Sequence, residues 1–172
     1  MAIFPPPASV NGKMDGVFTE IHSPFDPAAA SPIQVTAELE TPAGPAATSL
    51  NGTDEKTWDN AAVYKFDIPL SAQGRKTLLD IHFIGDAARL YVGDKFFDDN
   101  FYNGDPFSIA LWRIPTTDWP NIKLKVLPYS YGLFGRLPQQ ARDLVNQAKK
   151  ISTLDQVTVV TQVQLEVKIN PK

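Results

Sequence analysis

Residues 78–111 read LLDIHFIGDAARLYVGDKFFDDNFYNGDPFSIAL. Leu79, Ile81 and Phe83 alternate with Asp80 and His82; Ala88, Leu90 and Val92 alternate with Arg89 and Tyr91. An apolar period of two turns one face of an extended chain to a core and the other to water, which is a half-buried strand. Gly85-Asp86 and Gly93-Asp94 interrupt the alternation, and a glycine leading a two-residue loop suits a type II′ hairpin. We therefore expect a three-stranded meander over 77–97, then a polar loop over 98–106. Residues 107–114, apolar on both faces, read as a central strand covered on both sides.

Outward from this stretch the same period returns. Ile33, Val35, Ala37 and Leu39 alternate with polar residues; so do Tyr64, Phe66 and Ile68, closed by Pro69, and Ile122, Leu124 and Val126, separated by Lys123 and Lys125. The last strand is expected over 157–169, about 43 Å long if fully extended. One segment departs from the rhythm: Leu137, Ala141, Leu144, Val145, Ala148 and Ile151 share a helical face, which predicts a helix over 138–151 begun by Pro138. At least seven strands with a single helix read as an all-β antiparallel β-sandwich over 33–172 with one capping helix.

The chain has 172 residues, with 15 prolines and no cysteine. Six of the prolines fall in residues 1–32, an extended arm or linker with one short strand near residues 16–21. The missing cysteines remove disulfides, thiolate metal ligands and thiol nucleophiles, and two distant histidines make a poor metal site. A net charge of -3 without a basic block argues against nucleic acid. No apolar run reaches the roughly 20 residues that span a bilayer.

The pieces Gly85-Asp86-x-Ala88-Arg89-Leu90-Tyr91, Gly93-Asp94-Lys95, Asp99-Asn100-Phe101-Tyr102-Asn103-Gly104 and Pro106 with its apolar strand carry a resemblance. The chain resembles the C-terminal galactose-binding-like jelly-roll domain of bacterial β-galactosidase-like (family 35) glycoside hydrolases. That resemblance implies an accessory domain packed on a catalytic glycoside hydrolase domain of a parent chain, with galactosides or plant polysaccharide as ligands, in a secreted or periplasmic bacterial protein. The catalytic glutamates of those enzymes lie on a (β/α)₈ barrel and match no position here, so no catalytic residue is carried over.

Candidate sites follow from side-chain chemistry. Sugar rings stack their C–H faces on flat aromatics while neighbouring amides and carboxylates bond the hydroxyls. Trp58 and Trp119 in polar loops, Tyr102 with Asn103, and Tyr129 with Tyr131 are the candidate carbohydrate contacts. Asp86 and Arg89 read as a turn former and its ion-pair partner. Asp98, Asp99 and Asp105 lie in an oxygen-rich loop and are the candidate ligands for a structural calcium, against a turn-forming role for the same residues; no other cofactor is expected. Two further readings are a free-standing carbohydrate-binding module and a small jelly-roll hydrolase using Glu38 and Glu40, which alternate onto one strand face.

Overall fold

The computed structural model describes residues 2–3, 13–15, 18–20, 31–46, 55–73, 76–130, 137–148 and 152–161. The chain divides into two compact units, Met1–Ser31 with Gln162–Lys172, and Pro32–Thr161. In the first, β1 (Ala2–Ile3), β2 (Lys13–Asp15) and β3 (Phe18–Glu20) form a small antiparallel sheet in the order β1-β3-β2.

The second unit is an antiparallel β-sandwich. Its strands are β4 (Ile33–Gln34), β5 (Thr36–Thr41), β6 (Ala62–Asp67), β7 (Thr77–Ile84), β8 (Ala87–Val92), β9 (Lys95–Phe101), β10 (Phe107–Ala110), β11 (Ile122–Val126) and β12 (Thr153–Thr161). One sheet runs β10-β7-β12-β4 and the other β5-β6-β11-β8-β9. Alternation explains the packing. Leu79, Ile81, Ile109 and Val159 of the first sheet and Leu90, Ile122, Leu124 and Val126 of the second are buried in one core. The residues between them face outward. Fully burying each such side chain is worth roughly 1.5–3 kcal/mol, so this double layer holds the unit together. Among the described residues no helix is long and apolar enough to cross a membrane.

The expected meander is corrected. β7 pairs with β10 and β12, whereas β8 pairs with β9 and β11, so Gly85-Asp86 is a crossover between sheets and not a hairpin. The backbone shows why the two look alike in sequence. Each strand presents its apolar residues to the same core, but from opposite sides. Gly85 is required by close approach: a Cβ there would meet the Leu127 carbonyl oxygen at 2.4 Å and Val126 Cγ1 at 2.6 Å. Asp86 N donates to Leu127 O (3.0 Å) and Leu127 N to Ala87 O (2.8 Å), which ties the crossover to the end of β11. Gly93-Asp94 is the two-residue hairpin expected, with Val92 opposite Lys95 and Gly93 at φ 61°.

Other boundaries move. The strand read over 33–40 is two strands in different sheets; Val35 lies between them, buried, with its N–H on Val157 O at 2.9 Å. The apolar segment 107–114 is not central: β10 is a short edge strand, and the chain leaves it through a 3₁₀ turn, Leu111–Arg113. Its buried residues are Phe107, Ile109 and Leu111, while Ser108 faces out and donates to Asp80 Oδ1 (2.6 Å). β9 runs on to Phe101, so the polar loop begins only at Tyr102. The helix α1 spans Gln139–Ala148, buries Ala141 and Val145, and leaves Leu144 exposed. β12 begins at Thr153, and the part of the expected last strand beyond residue 161 lies outside the described residues.

Candidate functional site

The five-stranded sheet turns its outer face to solvent, and β11 runs through the middle of it. Because Ile122, Leu124 and Val126 point inward, Lys123 and Lys125 point outward. The register sets their neighbours. Lys123 stands between Lys65 of β6 and Tyr91 of β8, and Lys125 between Val63 and Arg89. Two lysines directly across a strand pair repel. Glu40 offsets this: Oε1 lies 2.6 Å from Lys65 Nζ and Oε2 3.1 Å from Lys123 Nζ. A register shift between Leu39 and Thr41 marks the end of β5 at which this carboxylate sits. Hydrogen bonds from Lys65 and then Lys123 hold the Glu40 carboxyl below its ordinary pKa, and the same pairing raises that of Lys65. Exposed pairs of this kind add little stability. Their effect here is to fix one acceptor and two donors in place.

Next to them stands an aromatic wall. The Lys125 ammonium lies 5.3 Å from the centre of the Tyr91 ring, and Tyr91 meets Phe96 edge to face at 6.0 Å. Phe96 is 55% exposed. Together Glu40, Val63, Tyr91, Asp94, Lys123 and Lys125 line an open groove of about 440 Å³. A flat ring beside fixed carboxylates and ammonium groups is the chemistry that grips a polyhydroxylated ring.

The aromatics singled out from the sequence lie elsewhere, and most cannot serve as platforms because they are buried. Trp58 is 5% exposed and packs with Ala61, Ala87 and Leu127, its ring covered by the Arg89 guanidinium 4.2 Å from the centroid. Trp119 is 4% exposed and donates Nε1–H to Ile114 O at 3.1 Å. Tyr102 packs edge-on against Phe83, and its hydroxyl reaches Ala141 O of α1 at 3.4 Å. Tyr129 is buried, and Tyr131 lies outside the described residues. The stacking face these residues would have offered is therefore taken up by core packing. Among the described residues the exposed tryptophan is Trp112.

The Asp86–Arg89 pair is corrected as well. Three residues apart across a strand start, the two side chains leave on different sides. Asp86 Oδ1 accepts the Ser130 N–H at 2.8 Å, and burial raises its pKa against the lowering effect of that bond. Arg89 instead bonds Glu55 Oε1 at 2.8 Å and is flanked by Trp58 and Phe96. The oxygen-rich stretch does not form one loop. Asp98 lies opposite Leu90 and Asp99 opposite Arg89, so these neighbours on β9 face opposite ways. Asp98 Oδ1 accepts the Asp99 N–H (3.0 Å), while Asn103 and Asp105 bond one another through a turn. Among the described residues no three His, Asp or Glu side chains gather around a common point.

Glu38 and Glu40 do share an outward face of β5. Glu40 is engaged by two lysines that keep it ionised, whereas a general acid needs the opposite shift. Tyr91, Lys123 and Lys125 were missed as site residues, although the polar half of each strand's alternation marked them as outward-facing. Comparison with protein-family models, curated proteins and solved structures finds no match.

Proposed function

We propose that this chain is a non-catalytic carbohydrate-binding β-sandwich domain, an accessory to a glycoside hydrolase of the β-galactosidase-like kind that its sequence resembles. The observation that carries the reading is the groove on the five-stranded sheet. Its volume of about 440 Å³ suits a small ligand, the Tyr91 ring offers a stacking face, and Glu40, Lys123 and Lys125 offer bonds to hydroxyls. The ligand is a galactoside or a plant polysaccharide unit. The partner is a catalytic domain in the parent chain, in a secreted or periplasmic setting.

The test is calorimetric titration of the chain against a panel of galactosides and plant cell-wall oligosaccharides, repeated with Tyr91→Ala. A ring stacked on an aromatic is worth about 1 kcal/mol, so the variant should bind about fivefold more weakly with its melting transition retained. Flat titrations across the whole panel would overturn the reading.

A further inference from the structure

Resting on that reading, we infer that the site does not end at the groove but continues as three linked depressions that hold an extended oligosaccharide. The second depression, about 510 Å³, shares Gly93 and Asp94 with the first and is walled by Phe96, Phe97, Arg113 and Asp118. The third, about 410 Å³, shares Ile114 and Pro115 with the second and carries Trp112, Lys76 and Thr116 over a floor of Leu111 and Trp119. The shared residues place the three side by side, from the sheet face, past the β8–β9 hairpin, to the 3₁₀ turn after β10.

Each depression repeats the same pairing of one accessible ring with polar groups: Tyr91 with Lys125 and Glu40, Phe96 with Arg113 and Asp118, Trp112 with Lys76 and Thr116. Phe96 and Trp112 are 55% and 46% exposed, so part of each ring reaches solvent. A ligand built of repeating rings needs such a repeating platform. The hairpin tip leaves room for it to pass: around Gly93 a side chain would meet nothing within 4 Å. Polar groups of both signs line the run, with Glu40, Asp94 and Asp118 among Lys76, Lys95, Arg113, Lys123 and Lys125, and they can accept from or donate to ring hydroxyls.

The experiment is calorimetric titration of the full chain with galactose and with β-1,4-linked galactotriose and galactohexaose, repeated with Trp112→Ala and, as a second probe of the third depression, Lys76→Ala. The affinity should rise about tenfold or more from galactose to the hexaose, as later units bind at an effective concentration set by the first. Both variants should weaken the hexaose by more than they weaken galactose. Equal affinity at all three lengths, or a hexaose affinity indifferent to both variants, overturns the extended site while the Tyr91 groove stands. No binding at any length overturns the extended site too, and the groove reading falls with it only if the wider panel is also flat.

Discussion

Gly85→Ala tests the sheet crossover on which this architecture turns. The added methyl would lie 2.4 Å from the Leu127 carbonyl oxygen and 2.6 Å from Val126 Cγ1. Neither neighbour has room to yield. Val126 is fully buried, and the Leu127 carbonyl already accepts the Asp86 N–H while the Leu127 N–H is held by Ala87. Overpacking of this kind costs about 1–3 kcal/mol. Relief by moving the carbonyl would forfeit a hydrogen bond worth about 1 kcal/mol. The variant should therefore lose about 3 kcal/mol, which for a chain of this size lowers the melting midpoint by about 6–12 °C. Thermal and urea unfolding followed by circular dichroism reads this directly. Gly93→Ala is the control. Its φ of 61° is unfavourable for alanine but its surroundings are open, so it should cost only about 1–2 kcal/mol. A Gly85→Ala midpoint within about 2 °C of the parent chain would refute the crossover contact.

Asp86 gives a pH signature. Its carboxyl is raised in the folded state, so its favourable contribution is complete below the unfolded pKa and is lost as pH rises through the folded value. Asp86→Asn keeps an acceptor for Ser130 N–H and removes the charge; it should be more stable than the parent chain at neutral pH, with the gap closing on acidification. Asp86→Ala should lose about 1–3 kcal/mol by leaving that N–H unpaired, and urea melts at acid and neutral pH compare all three. Calcium or a chelator should move the melting midpoint by no more than about 1 °C, because Asp98 and Asp99 face opposite ways and Asp105 is turned to Asn103; a rise of several degrees with calcium would refute this.

Much of the fold was legible in sequence because burial repeats with the strand period. Tyr64–Phe66, Ile122–Val126 and Leu79–Phe83 all appear where their alternation puts them, and the Pro138 and Ala141–Val145 pattern places α1. Period two reports which face is buried, but it is silent about which sheet supplies that face. Hence the crossovers at Gly85 and Val35 read as a hairpin and as one continuous strand. Likewise Asp98 and Asp99 read as loop because they are acidic, although at a sheet edge a strand tolerates such residues on either side.

The site was less legible for a related reason. Exposure of an aromatic is decided by what folds over it, not by the polarity of its sequence neighbours. Trp58 sits among Lys56, Thr57, Asp59 and Asn60, yet its 3₁₀ segment Glu55–Asn60 holds it against Ala87 with Arg89 lying across the ring. Trp112 sits in an apolar run, yet the chain turns at Leu111, and that turn delivers the ring to solvent. The groove itself depends on lateral register. Glu40, Lys65, Lys123 and Tyr91 are far apart in the chain and become neighbours only because β5, β6, β11 and β8 lie in that order. Alternation could show that each points outward. Their assembly into one surface belongs to the pairing of strands, and this is why a binding face on a sheet is harder to read than one on a single loop.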